Sequence, residues 1–234
     1  MIDIYGGKDP RNIPSYSAAD ASRYLNIPYS TIRSWTVGYT YKVTDGSKEF
    51  KPVIGVKEKK PLALTFINLI EIHVLRAIRQ HHQIDLVKVR TALDYLDEKI
   101  NISHPLAHQE FYTDGVDLFI DRYGSLINAS QDGQRILKNA LHAHLERIEP
   151  DDEGLAIQLF PFTRNQEENN PRFVVIDPRV AFGRMVIAGR GIPTEIIAER
   201  FYAGDSQEQL AHDYECGIEE IEEAIRCVSR PVAA

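Results

Sequence analysis

The chain has 234 residues, 43% of them hydrophobic and 26% charged, a balance that is typical of a packed protein and argues against a disordered one. It contains no apolar run near the roughly 20 residues that cross a bilayer, and its first residues lack the basic and apolar regions of a signal peptide. Two cysteines, Cys216 and Cys227, are too few for a disulfide framework or a cysteine-ligated zinc site, so we expect a reducing, cytoplasmic setting and no membrane partner.

The charges are unevenly distributed along the chain. Residues 1–60 contain 10 lysines and arginines against 6 acidic residues, a net charge of +4. Residues 61–234 contain 17 against 28, a net charge of −11. A basic head on an acidic body favours contact with nucleic acid through the head alone.

A helix-turn-helix is predicted close to the N-terminus. Ser17 can cap a helix in which Asp20, three residues on, can reach back to the cap. Pro28 suits the first turn of a second helix, which we expect to run to about Trp35. Two short helices joined by three or four residues have the geometry of a helix-turn-helix, and an ordinary helical hairpin is the alternative.

The second of these helices divides into two faces. Ile32 and Trp35 fall on its inner face. The outer face is free to meet a DNA groove and holds Tyr29, Ser30, Arg33 and Ser34. Arg33 can clamp a phosphate or read a guanine edge, and the hydroxyl groups can contact phosphate or base.

A basic hairpin is predicted directly after the helix pair. Residues 39–54 alternate around the turn Asp45-Gly46-Ser47, and the strands carry Lys42, Lys48 and Lys51. We interpret the hairpin as a DNA-contacting wing, with Lys42 and Lys48 as its contact residues. Solvated lysines that guard an edge strand are the alternative.

Hydrophobic periodicity and turn signals predict the remaining elements. Helices are expected over residues 65–82, 85–100, 134–148, 194–203, 206–214 and 218–228, and strands over 173–176 and 185–187. The turns Asp114-Gly115 and Tyr123-Gly124 predict three short strands within 110–129, and the polar stretch 164–171 indicates a linker. The last helix suits a protein partner better than DNA, since it carries Glu219, Glu220, Glu222 and Glu223.

Two parts of the chain resemble known families. Tyr16-Ser17-Ala18-Ala19-Asp20-Ala21 and Ser30-Thr31-Ile32-Arg33-Ser34-Trp35, with the hairpin and the next two helices, resemble the winged-helix domain of MerR-type regulators over residues 16–97. Ile176-Asp177-Pro178-Arg179-Val180-Ala181-Phe182-Gly183-Arg184 and Ile187-Ala188-Gly189-Arg190-Gly191-Ile192-Pro193-Thr194 resemble a small bacterial module of unknown function that occurs in antitoxins. Together the two parts resemble the long VapB-type antitoxins over most of residues 16–228.

This resemblance implies repression of the chain's own operon through operator DNA, and neutralisation of a PIN-like ribonuclease toxin. It implies that Tyr29, Ser30, Thr31 and Arg33 face DNA, and it carries over no catalytic residue. We expect toxin contacts around the glycine-rich turns, since arginine pairs bidentately with carboxylates such as the metal ligands of PIN-like toxins. The candidates are Phe182, Arg184 and Arg190, and a merely solvating role is the alternative for them.

The predicted fold is α+β and mainly helical, with no catalytic residue, metal or cofactor. We expect an N-terminal arm (1–15), a winged helix-turn-helix (16–100), a central helix and β-hairpin region (101–165) and a helix-turn-helix-like C-terminal module (172–234). A homodimer is expected, because such regulators pair to read two half-sites. A second subunit or residues 101–148 would cover the helical stripe Phe66, Leu69, Ile70, His73 and Ala77.

Two other classes of protein stay open as alternatives. An enzyme or zinc protein would use His104 and His108, whose i,i+4 spacing could hold zinc, although the sequence offers no obvious third ligand. A stand-alone regulator that senses a small ligand would need a pocket within residues 101–165. Its lining would be Phe111, Tyr112, Phe119 and Tyr123, which we interpret instead as core.

Overall fold

Helices dominate the α+β fold, as the sequence predicts. The computed structural model describes residues 5–44, 46–81, 86–100, 104–164 and 170–229. The helices are α1 (Ala18–Leu25), α2 (Tyr29–Thr36), α3 (Phe66–His81), α4 (Leu86–Ile100), α5 (Val116–Ile127), α6 (Gln131–Leu145), α7 (Thr194–Tyr202), α8 (Gln207–Asp213) and α9 (Ile218–Ser229). The strands are β1 (Tyr16–Ser17), β2 (Tyr39–Val43), β3 (Gly46–Phe50), β4 (Glu58–Lys59), β5 (Leu62–Leu64), β6 (Ile148–Pro150), β7 (Ala156–Leu159), β8 (Val174–Ile176) and β9 (Met185–Ile187).

The head of the chain forms the predicted helix-turn-helix with a hairpin behind it. Ser17 caps α1, since its hydroxyl accepts from the Asp20 amide at 3.1 Å and the Asp20 carboxylate accepts from the Ser17 amide at 3.0 Å. Asn26 ends α1 with a left-handed φ of 52°, and Pro28 is the N-cap of α2, one residue outside the helix. Strands β2 and β3 pair as the hairpin, while β1, β5 and β4 form a separate antiparallel sheet.

Helix α3 lies at the centre of the molecule. Its stripe is almost completely buried within one chain, with no member more than 1% exposed: Phe66, Leu69, Ile70, His73 and Ala77. Helix α6 packs directly against α3. The stripe is therefore no dimer face, which corrects one of the two alternatives above. Leu69→Glu would therefore place a carboxylate in the core of the chain and destabilise its fold, and would not act on a contact between subunits.

The prediction of strands within 110–129 is wrong. Phe111–Gly115 forms a turn of π-helix that runs directly into α5, so residues 111–127 are helical. Gly124 is buried in mid-helix. A Cβ there would lie 2.9 Å from the side chain of Gln134 on α6, so the absence of a side chain lets the two helices approach each other. The two glycines permit helix continuation and close helix packing, whereas the sequence pattern suggested turns.

The aromatic side chains of this segment belong to the core, as interpreted from the sequence. Phe111, Phe119 and Tyr123 are at most 1% exposed, and Tyr112 packs against the same cluster. The rings of Phe119 and Tyr123, one helical turn apart, stack with centroids 5.5 Å apart. They are therefore packed among the other apolar side chains of the main core.

A four-stranded antiparallel sheet in the order β6-β7-β8-β9 joins the central region to the C-terminal module. Its strands come from both sides of the predicted linker at 164–171, of which residues 165–169 lie outside the described part of the chain. Beyond the sheet, α7, α8 and α9 form where the sequence predicts them. They enclose a second small core, which consists of Ile187, Ile197, Leu210, Ile221, Ala224 and Ile225.

Arg147 holds the two ends of the linker together. Its buried guanidinium donates hydrogen bonds of 2.8 to 3.3 Å to four backbone carbonyls, those of Phe160, Pro161, Asn170 and Pro171. Burial lowers the pKa of Arg147 to about 10, so the side chain keeps its charge at neutral pH. The carbonyls accept the hydrogen bonds that water would otherwise accept from the guanidinium, and this compensates for the lost hydration of the buried cation.

A buried pair of imidazoles lies between α3 and α6. The His73 Nε2 donates to the His144 carbonyl at 3.0 Å, and the two rings lie 4.8 Å apart. Phe162 stacks on His73 at 5.6 Å. Because this site is desolvated, the pKa of His73 falls from 6.5 to about 3, and the imidazole is neutral at neutral pH.

His73 should make the protein sensitive to acid. The unfolded chain takes up a proton here below about pH 6.5 while the folded chain does not, so the contribution to stability is complete above pH 6.5 and is lost as pH falls toward 3. His73→Gln keeps a donor for the His144 carbonyl but cannot titrate. Urea unfolding at pH 7.5 and pH 5.0 should show that the wild type loses about 2 kcal/mol more than this variant.

The matched control for this measurement is His212→Gln, which changes an exposed histidine. It should lose stability between the two pH values as the wild type does. Equal acid losses in wild type and His73→Gln would contradict the assignment of a neutral buried imidazole.

Candidate nucleic-acid interface and the C-terminal turns

The outer face of α2 is open to solvent, as the sequence predicts, apart from one residue. Tyr29 is 42% exposed, Ser30 and Arg33 are exposed, and Ser34 is half-buried. Thr31 is only 7% exposed, so its side chain faces the interior and not a groove. The helical period explains this, because Thr31 lies one turn before Trp35 on the inner face.

Two of the surface residues are held in place by contacts within α2. The Arg33 guanidinium lies 6.0 Å from the centroid of the Tyr29 ring, one helical turn earlier. The Ser34 hydroxyl donates to the Thr31 carbonyl at 2.8 Å, and this bond competes with any contact to a phosphate. Arg33 forms no ion pair with a described residue, which leaves its charge available to an anionic partner.

Trp35 anchors α2 and also positions the hairpin. Its indole is completely buried beside Ile32 in the main core. Its backbone carbonyl accepts hydrogen bonds from the amides of Val53 and Ile54, at 2.8 and 2.9 Å. The chain that leaves the hairpin is thereby tied to the end of α2, so α2 and the hairpin have a fixed relative position.

The hairpin carries aromatic rings as well as lysines. Lys42 and Lys48 are exposed, and the pairing places Tyr41 opposite Lys48. Tyr39 and Tyr41 are 49% and 44% exposed, while the Tyr39 ring stacks on Phe50 at 5.1 Å. The strand alternation could have indicated these tyrosines as surface residues, since they share a face of β2. Asp45, at the predicted turn, lies outside the described residues.

Arg90 of α4 braces the base of the hairpin. Its guanidinium lies 5.5 Å from the centroid of the Phe50 ring. It donates hydrogen bonds to the carbonyls of Lys51 and Pro52. This contact joins residues almost forty positions apart, and no local sequence signal indicates it. Asp85, the first residue of the predicted helix 85–100, lies outside the described residues.

The candidate toxin contacts lie on two neighbouring turns of the C-terminal module. Phe182 is 66% exposed, and Arg184 and Arg190 are exposed. The two turns approach each other, since a Cβ on Gly191 would lie 3.3 Å from Val180. Arg190 has a long ion pair of 4.0 Å with Glu220. The two arginines and the Phe182 ring thus all reach the surface of this part of the module.

The acidic last helix does not present all of its glutamates to solvent. Glu219 and Glu222 are exposed, whereas Glu223 is fully buried. Burial raises the pKa of Glu223, but hydrogen bonds from Arg164, with Nη2 at 2.9 Å, outweigh burial, so the pKa lies below its usual value. Glu223 therefore has a structural role, and only part of the predicted acidic surface is available to a partner.

The C-terminal module packs against the helix-turn-helix. Arg23 on α1 pairs with Glu195 on α7 at 2.8 Å. A Cβ on Gly183 would lie 2.0 Å from the Tyr16 hydroxyl oxygen, so only glycine fits this contact. The head and the module are in direct contact, although more than 160 residues separate them along the chain.

The histidines considered for zinc are occupied by other contacts. His104 Nδ1 donates to the Glu71 carboxylate at 2.9 Å, and this bond raises the pKa of His104. His108 Nε2 donates to the Glu153 carbonyl at 3.2 Å. Among the described residues, no group of three or more histidine, cysteine or acidic side chains could hold a metal ion. Nor is any helix in the described ranges long and apolar enough to cross a membrane.

Two domain families match parts of the chain. Residues 14–93 match a family described as "Putative DNA-binding HTH domain". Residues 174–226 match a family described as "Protein of unknown function (DUF433)". The first match covers the helix pair, the hairpin and the start of α4, and the second runs from β8 into α9.

Similar proteins are found in Mycobacterium tuberculosis. The protein named "Putative antitoxin VapB45" is 26% identical over 93% of this chain and 95% of its own length. "Uncharacterized protein Rv2308" is 24% identical over 90% of this chain and 88% of its own length. The crystal structure of Rv2018 has the same fold, with a TM-score of 0.66, 23% identity, and coverage of 92% of this chain and 98% of that chain. The chain therefore has a helix-turn-helix head and is similar to a protein named as an antitoxin.

Gly38, between α2 and the hairpin, should be indispensable for the interface. Its φ is 78°, and a Cβ would lie 2.2 Å from the Phe50 carbonyl oxygen. Gly38→Ala should therefore lower the free energy of unfolding by about 2 kcal/mol or more and misplace the hairpin. Thermal unfolding and a gel-shift titration with operator DNA measure the two effects. Gly55→Ala, in open space, is the control and should behave as wild type; an equally stable Gly38→Ala protein would disprove the constraint.

Proposed function

We propose that this chain is an antitoxin that binds and neutralises a PIN-like ribonuclease toxin, and that represses its own operon by binding operator DNA. One observation carries the proposal: a basic helix-turn-helix surface belongs to a chain that aligns over 93% of its length with a protein named as an antitoxin. The role is non-enzymatic, needs no cofactor or metal, and is exercised in the cytoplasm, where DNA is accessible.

The DNA-binding half of the proposal rests on charge and exposure. Arg33 on α2 and Lys42 and Lys48 on the hairpin are exposed cations on elements with a fixed relative position. Tyr29 and Ser30 extend this surface, and Ser34 lies at its edge. Thr31 supports the surface from inside. Two such heads in a homodimer would read two half-sites, through a dimer surface other than the buried stripe of α3.

The toxin-binding half rests on the two C-terminal turns. An exposed aromatic ring and two exposed arginines are residue types that often form the hot spots of protein interfaces. Arg184 and Arg190 can each pair with a carboxylate, and Phe182 can pack against an apolar side chain of the partner. A small-ligand sensor is less well supported, since the four aromatic residues considered for its pocket lie in the core.

Loss of the Arg33 side chain should weaken operator binding. Arg33→Ala is expected to weaken the free energy of operator binding by roughly 1–3 kcal/mol if the guanidinium reads a base edge. If the guanidinium holds a phosphate, the variant should reduce affinity for all DNA sequences alike. Fluorescence anisotropy with the chain's own promoter fragment, beside a scrambled fragment, separates the two cases. Arg135→Ala, an exposed arginine on α6, is the control and should bind as wild type. Unchanged affinity of Arg33→Ala would remove α2 from the interface.

Charge reversal on the C-terminal turns should separate the two activities. Arg184→Glu with Arg190→Glu should abolish growth rescue of cells that express the toxin, because the new carboxylates repel those of the toxin. Operator binding should stay at the wild-type level, since the turns lie outside the DNA-facing surface. Arg135→Glu is the matched control and should rescue fully. Full rescue by the double variant would exclude these arginines from the toxin interface.

A further inference from the structure

The turn formed by Ala181, Phe182 and Gly183 holds an aromatic ring in solvent. All three residues have a left-handed backbone, with φ of 48°, 57° and 77°, which L-residues other than glycine rarely adopt. Phe182 is nevertheless 66% exposed. A large apolar side chain that an unfavourable backbone directs into water points to a binding role, because burial elsewhere in the fold does not explain it.

Phe182 lines a cleft of about 680 Å³ where three parts of the chain meet. The N-terminal arm contributes most of the lining, including Ile13 and Pro14, and Lys57 comes from the segment after the hairpin. Tyr5 joins the arm to the C-terminal module, since its hydroxyl donates to the Pro178 carbonyl at 2.7 Å and its ring meets Phe182 edge-on at 6.5 Å. The cleft is thus a built feature of the tertiary structure.

The charge in this cleft is positive. Lys8 and Lys57 line it, are exposed, and form no ion pair with any described residue. Its acidic lining residue, Asp9, pairs with Arg11, with Nη2 and Oδ2 2.8 Å apart, and Arg11 also pairs with Asp151 outside the lining. The result is an apolar recess with two uncompensated ammonium groups beside it.

We propose that this cleft binds a segment of the partner protein in which a large apolar side chain is flanked by carboxylates. The inference rests on the proposed function, because the toxin is taken as the partner. Carboxylates match Lys8 and Lys57, and an apolar side chain matches Phe182 and its apolar neighbours. Nucleic acid fits less well, because a phosphate backbone gains nothing from the apolar lining.

A bound segment would lie close to the helix-turn-helix. Gly183 packs on Tyr16, and Tyr16 directly precedes Ser17, the cap of α1. Operator binding must therefore be measured beside toxin binding, so that an effect on the head is not mistaken for an effect on the cleft.

The test uses the full-length chain and, as its partner, the purified PIN-like ribonuclease that the proposed function assigns to it. Binding is measured by isothermal titration calorimetry for the wild type, for Phe182→Ala and for Lys8→Glu with Lys57→Glu. The matched controls are Tyr202→Ala, another exposed aromatic, and Lys59→Glu, an exposed lysine two residues from Lys57. We expect each cleft variant to raise the Kd at least tenfold, while the controls and the operator affinity of all variants stay within twofold.

Each outcome decides between the two proposals. If the wild type binds the ribonuclease and the cleft variants bind it equally well, the cleft inference is wrong and the proposed function stands. If the wild type does not bind the ribonuclease at all, the proposed function fails and the inference fails with it. If the cleft variants instead lose affinity for operator DNA or for single-stranded RNA, or change the sedimentation coefficient of the chain alone, the occupant is a nucleic acid or a second copy, and the inference is overturned.

Discussion

The burial of α3 governs how the elements around this helix are arranged. From Phe66 to Ile78 every side chain of this helix is inside the protein, although four of them are polar: Asn68, Glu71, His73 and Arg76. Each needs a hydrogen-bond partner in the interior, because burying a polar group without one lowers the free energy of unfolding. The partners come from four different places: the backbone after the hairpin at Gly55, His104, α6 through the His144 carbonyl, and the end of α1 through the Leu25 carbonyl. One helix thereby fixes the positions of the others.

This arrangement makes the helix-turn-helix a part of the whole molecule. Arg76 reaches the Leu25 carbonyl at 2.6 Å, and Arg23, two residues earlier on α1, pairs with Glu195 of the C-terminal module. Gly183 fits against Tyr16 at the start of the same helix. The charged side chains of the two parts lie in different environments. The cations of α2 and the hairpin are exposed at the surface, whereas Glu223 is buried in the C-terminal module. A chain built in this way can offer DNA and a protein partner different surfaces and still connect them through packed side chains.

The candidate site could be predicted only as far as local pattern reaches. The exposed face of α2 follows from the helical period, and Lys42 and Lys48 follow from strand alternation next to a turn. The family resemblance implies that Thr31 faces a DNA groove. The helical period, which places Trp35 inside, places Thr31 on the same inner face of α2. The Phe182 cleft could not be predicted, because its lining is assembled from residues that lie up to about 180 positions apart.

The amino-acid sequence alone specifies where most helices begin and end, because capping boxes such as Ser17 with Asp20 and apolar stripes act over only a few residues. It also specifies which helix faces are apolar. What each face meets depends on the folded chain: the stripe of α3 is covered by α6, and a Cβ at the mid-helix Gly124 would lie 2.9 Å from the side chain of Gln134. The physical reason is that helix signals are short-range, whereas burial and close packing depend on partners brought together by folding, and glycine is compatible with a turn and with a crowded helix contact alike.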